Sequence, residues 1–183
     1  MKNFIMGLIW LLFCVSANGA ESKFNNISEM VEEFSDYSSS NGTYRHISSE
    51  PLHIQLSPMV VDGEPPEVIE ETIKRTIIYG IYRSFIHTDI NQITVTAIPM
   101  ELDFKGGKSR YLKGYERSIT INRDKARKLI EKYLEVSKLS QLVTTVKIFG
   151  MSSNDHWSKS FNRIYYSDQG YPGVTRFFGD LAK

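Results

Sequence analysis

The sequence predicts an α+β domain, a mostly antiparallel sheet of about four strands with helices packed on one face, behind a cleaved signal peptide. Three observations carry this. Leu52, Ile54 and Leu56 alternate with His53, Gln55 and Ser57 at the period of a strand with one buried face. Ile69, Ile73, Ile77, Ile81 and Phe85 recur every fourth residue, the period of an amphipathic helix. Patterns of the two kinds then follow one another over short connections as strand, helix, strand, strand, helix, strand, an order that an antiparallel sheet with helices on one side satisfies.

The elements follow in order. Residues 21–49 read as a polar N-terminal segment with one short helix, in which Ile27, Met30, Val31 and Phe34 make an apolar stripe and Asn26 or Ser28 serves as cap. The serine triplet and Asn41-Gly42 mark 35–43 as a mobile linker or loop, so the compact domain is expected from about Tyr44 and a single α+β domain is assigned to 50–183. Met59-Val60-Val61 extends the first strand beyond Pro58, and Asp62 to Pro66 supplies a turn with proline ready for the first helical turn.

The helix over 66–87 carries glutamates early and Arg83 and His87 late, as the helix dipole favours. Gly80 lies in its interior, where glycine costs about 1 kcal/mol relative to alanine, which points to close packing there. Ile93, Val95 and Ala97 define a second strand, continued by Met100, Leu102 and Phe104. Gly106-Gly107 breaks that alternation, and a third strand follows over 118–122, so the two form a long hairpin around an excursion between Lys105 and Glu116. Asn122 or Asp124 caps a helix with Ala126, Leu129, Ile130, Tyr133 and Leu134 on one stripe. Residues 143–149 read as a fourth strand, Trp157, Phe161, Ile164 and Tyr165 sit at helical spacing, and a Gly-Tyr-Pro-Gly turn at 170–173 precedes a short segment with Phe177 and Phe178.

The first twenty residues give an address. Lys2 supplies a positive start, 4–15 an apolar run, and Ser16-Ala17-Asn18-Gly19-Ala20 the small residues of a signal-peptidase site. The run is shorter than the ~20 apolar residues of a spanning helix, so no stable transmembrane segment is expected after cleavage. Cleavage is expected between Ala17 and Glu21, with the position after Gly19 favoured because it sets Ala17 third from the cut. Cys14 offers a lipid-anchored alternative, which the bulky Phe13 before it disfavours.

Cys14 is the only cysteine, so cleavage would leave a chain with no disulfide, thiol nucleophile or thiolate metal site. Stability must then come from the core, which a chain of this length can supply. The 22 basic and 21 acidic residues nearly cancel, and loss of Lys2 balances them. Nucleic-acid binders carry a basic excess, and none is present, so nucleic acid is excluded as a partner class. A cysteine-free mature chain fits a bacterial periplasmic protein, with secretion as the alternative. The sequons at Asn26 and Asn41 are read as chance occurrences in a chain rich in serine and threonine.

No reaction centre is legible. His46, His53, His87 and His156 lack the short spacing of zinc ligands, Gly-x-Ser-x-Gly is absent, and Gly106-Gly107-Lys108-Ser109 has Glu101 where a phosphate loop needs its first glycine. No catalytic residue, cofactor or metal is therefore expected. His53 reads as the solvent-facing member of a strand and His87 as a helix-terminal residue. Tyrosine and tryptophan beside arginine are the residue types of binding hot spots. The expected interaction surface comprises Arg110, Tyr111, Lys113, Tyr115, Trp157, Arg163 and Tyr166. The leading expectation is an exported periplasmic accessory or adaptor protein, non-enzymatic, acting through contact with a protein partner in the cell envelope, as in an envelope-spanning or transfer assembly. The alternatives are a small-ligand or cell-wall-binding domain and an unrecognised hydrolase.

Overall fold

The computed structural model describes residues 23–102, 109–148, 151–166 and 173–183. The leader, Cys14, the Gly106-Gly107 break and most of the 170–173 turn lie outside the described residues. The fold is α+β, with helices and mixed sheets. Its elements are α1 (Ile27–Phe34), β1 (Tyr44–Ser49), β2 (Leu52–Leu56), β3 (Met59–Val61), α2 (Pro66–His87), β4 (Gln92–Ala97), β5 (Met100–Leu102), β6 (Arg110–Tyr111), β7 (Arg117–Asn122), α3 (Arg123–Leu134), β8 (Val143–Ile148), β9 (Met151–Trp157), α4 (Lys159–Tyr165) and α5 (Gly173–Leu181), with 3₁₀ turns at Lys113–Tyr115 and Leu139–Leu142.

The main sheet runs β1-β2-β4-β7. Its outer pairs are antiparallel, whereas β2 and β4 pair in parallel, Ile54 opposite Val95, because α2 carries the chain back across the sheet between them. The hairpin expected of the second and third strands is the β4/β7 pair, Ile93 opposite Ile121. Two prolines at matching positions end this sheet. Pro58 and Pro99 lack the donor a ladder needs, and beyond both the chain starts a second, three-stranded sheet, β3-β5-β6, in which Met59 pairs with Met100. Met59–Val61 is thus a strand of its own, not a continuation of β2.

α2 is the centre of the molecule. Gly80 faces the sheet, as its place in the helix suggested: an added Cβ would lie 2.8 Å from Val95 Cγ1 and 2.9 Å from Leu56 Cδ1. Gly80→Ala sets a helix-propensity gain of ~1 kcal/mol against overpacking of ~1–3 kcal/mol. Val95 is β-branched on a central strand and yields little, so a net loss of stability is expected as a lower urea midpoint, and an unchanged or raised midpoint contradicts the packing described here.

The expectation of one wet side on α2 holds only for its first turns. From Thr76 to His87 the helix is buried all round, because α1, α4, α5 and the β8/β9 hairpin cover the side away from the sheet. Tyr82 stacks between Phe161 of α4 and Phe177 of α5, at 5.5 and 5.8 Å between centroids, and its hydroxyl donates to the Ala126 carbonyl. The outer face of the main sheet is polar, with His53 bonded to Thr96 and Thr94 to Thr120.

The described part of the N-terminal segment, residues 23–49, belongs to this one core rather than being a preamble to it. Asn26 caps α1, whose Ile27, Met30, Val31 and Phe34 are all buried, and β1 is an edge strand of the main sheet. Of the two readings of 35–43, linker or loop, the structure shows a loop, and one held in place. The Ser39 amide and Ser38 hydroxyl both donate to the Glu32 carboxylate, the Ser38 amide to Thr43 Oγ1, and Tyr111 to the Gly42 carbonyl, so the loop is pinned from both sides. Its serines, which signal disorder in composition, serve here as hydrogen-bonding groups. Trp157 ends a strand instead of opening a helix: β9 pairs with β8, Val143 opposite Trp157, and Ser158 caps α4.

Candidate ligand-binding cleft

Tyr79, Arg83 and His87 follow one another at four-residue intervals on α2, so they form one stripe, turned away from the sheet. Above this stripe is a cleft of ≈ 590 Å³. The end of α1 and the pinned loop form one wall through Phe34, Asp36 and Tyr37. β9 and the end of α4 form another through Asp155, Trp157, Tyr165 and Tyr166, and Ser57 to Met59 close the rim. The volume is typical of sites for small organic molecules.

Arg83 is the centre of the floor and only 5% exposed. The rings of Phe34 and Trp157 lie 4.4 and 4.0 Å from its guanidinium carbon, so the cation is held between two aromatic faces. Burial lowers its pKa below the usual arginine range, while Tyr79, Asp36 and Asp155 act the other way, and arginine has reserve enough to stay charged. Nη1 donates to Nε2 of the buried His87 at 3.3 Å. Arginine can only donate, so Nε2 is an unprotonated acceptor. His87 Nδ1 stands 3.9 Å from Asp155 Oδ2, too far for a hydrogen bond, and Asp155 Oδ1 accepts from the Thr145 hydroxyl.

Three buried polar atoms of this cluster make no well-formed hydrogen bond among the described residues: Arg83 Nε, Asp155 Oδ2 and the Tyr79 hydroxyl, which has the Asp36 carboxylate near it as a weak acceptor. Each such underpaired atom costs roughly 1–3 kcal/mol, so three at one place mark a site under polar tension. The surrounding phenols are acceptors or donors but not charges. Burial pushes the Tyr37 pKa up to about 12 and raises those of Tyr79 and Tyr165 as well. Tyr37 donates to Thr76 Oγ1, whose own proton goes to the Thr72 carbonyl.

Of the expected surface residues, the fold brings Trp157 and Tyr166 into the cleft and leaves the others away from it. Tyr166 is 45% exposed at the rim, near the Arg75 guanidinium. Arg110 is ion-paired with Glu101, Tyr111 is tied to Gly42, Tyr115 is half-buried against the core, and Lys113 and Arg163 are exposed elsewhere. The residues missed in the sequence are Tyr79, Arg83 and Asp155, and His87, the last residue of α2 as expected, is a buried member of the cluster. The four-residue spacing of Tyr79, Arg83 and His87 was the available signal, a polar stripe on an otherwise apolar helix.

Among the described residues no group of three His, Cys, Asp or Glu side chains converges as metal ligands would. The arrangement offers hydrogen-bond donors, two acids and flat apolar walls, which is chemistry for holding a molecule. Comparison with protein-family models, with the curated proteins and with the solved structures returns no match.

Proposed function

We propose that this chain is an exported binding protein of the bacterial cell envelope that holds a small organic molecule by its carboxylate in the aromatic cleft and does no chemistry on it. The observation that carries the reading is Arg83, a charged side chain 5% exposed beneath a ligand-sized cleft, with its Nε lacking a partner among the described residues. Evolving a cation between two rings without full pairing is costly, and an anion entering the cleft would offset that cost. His87 does not act as a base in this reading, because its Nε2 is already bonded to Arg83.

The test is a panel of amphipathic carboxylates and cell-wall fragments, scored by melting temperature and tryptophan fluorescence on wild-type protein and on Arg83→Met, which keeps volume and removes charge. At least one compound should stabilise the wild type saturably and lose at least tenfold in affinity in the variant. A panel with no binder, or equal binding by both proteins, rejects the proposal. Export is the second half of the proposal and rests on residues 2–20. The intact mass of periplasmic product should place its start between Ala17 and Glu21, and a mass retaining Met1, or carrying diacylglycerol on Cys14, overturns the address.

A second reading, the adaptor, is supported by Met59 and Tyr166, which are 54% and 45% exposed on the rim and give the cleft an apolar lip for a partner's segment. Crosslinking in the envelope fraction tests it: one dominant protein partner supports the adaptor, and recovery of the bait alone rejects it.

A further inference from the structure

We infer that the molecule the cleft takes is a zwitterion with an apolar body, an aromatic or large aliphatic amino acid or a short peptide made of such residues. The inference rests on the reading of the cleft as a small-ligand site and concerns which class of ligand fills it. The three underpaired atoms differ in kind. Arg83 Nε and the Tyr79 hydroxyl are donors, whereas Asp155 Oδ2 is an acceptor. Tyr79 and Asp155, each 4% exposed, and Arg83 all border the same cleft.

A carboxylate alone would satisfy the donors but leave Asp155 Oδ2 unpaired, and it would add a negative charge where Asp155 and Asp36 already stand. An amine alone would satisfy Asp155 and set a second cation beside Arg83. One molecule carrying both groups satisfies all three atoms and leaves the local charge unchanged. Its carboxylate accepts from Arg83 and Tyr79, and its ammonium donates to Asp155. Its side chain lies among Tyr37, Trp157 and Tyr165, which give flat apolar walls.

The three atoms are buried from solvent, and the Trp157 ring that covers Arg83 is also a wall of the cleft. Entry of the ligand therefore moves this ring, which makes indole emission the natural readout. Trp157 is the sole tryptophan once residues 1–20 are removed.

The experiment compares four probes on the leaderless protein by fluorescence titration and calorimetry: L-phenylalanine, alanyl-phenylalanine, 3-phenylpropionate and 2-phenylethylamine. The zwitterions should bind at least tenfold more tightly than the acid or the amine, and Tyr79→Phe, which keeps the ring, should weaken the zwitterions and the acid about equally while leaving the amine unaffected. If 3-phenylpropionate matches phenylalanine, the zwitterion inference fails while the anion site stands. If none of the four binds but another carboxylate of the wider panel does, the inference also fails alone. If nothing in either set binds, both fall together. The comparison among probes on the wild-type protein decides the matter even if a variant does not fold.

Discussion

Asp155→Asn is expected to destabilise the protein by about 1–3 kcal/mol, because it removes the buried carboxylate whose charge offsets that of Arg83. Asparagine keeps an oxygen for the Thr145 hydroxyl and nearly the same volume, so the change isolates the charge. Arg83 is then left buried between Phe34 and Trp157 with the exposed Asp36 as the carboxylate still acting on it, and burial already depresses its pKa. The β8/β9 hairpin, whose Asp155 faces Arg83 of α2, should loosen first. Urea unfolding measures the loss. Combining Asp155→Asn with Arg83→Met should recover much of it, since the underpaired cation is then absent as well. A single variant within about 0.5 kcal/mol of wild type, the range of an ordinary surface substitution, would show that the charges do not feel one another.

Ile77→Ala and Ile81→Ala should each cost about 2–5 kcal/mol, the sum of lost transfer energy and the cavity left behind. Both side chains are fully buried in the single core cluster, one on either side of Gly80 along α2. The helix is covered from all directions there, so the surroundings have little room to collapse into the gap. In a chain of this size each kcal/mol lowers the melting temperature by about 2–4 °C. Thermal melts followed by circular dichroism check this, and negligible shifts in both variants would mean that the buried face of α2 is not the one described.

What was legible in the sequence is what short-range periodicity can report. The stripe of Ile69 to Phe85 defined α2 to within a residue at each end, the alternations about Ile54, Val95 and Ile119 defined β2, β4 and β7, and Asn122 marked the start of α3 with its own side chain. Gly80 disclosed a close approach before its neighbour was known. β9 was not legible, because Met151 to Trp157 shows no apolar alternation and owes its extended form to pairing with β8. The pinning of the 35–43 loop was not legible for a related reason: serine and asparagine are the residues of a mobile turn unless a particular carboxylate, here Glu32, stands within reach.

The sequence by itself determined the class of this protein, an α+β chain with one cysteine and balanced charge, and the positions of its most regular elements. Only the tertiary structure decided that β2 and β4 run parallel, that α1 and β1 belong to the core, and that Arg83 and Asp155 border one cleft walled by Phe34, Tyr37 and Trp157. The physical reason is one of range. A helix or strand is selected by residues a few positions apart, whose spacing is written along the chain, whereas a site is assembled where separate faces cross, and burial at that crossing turns an ordinary helix-end arginine into an underpaired charge.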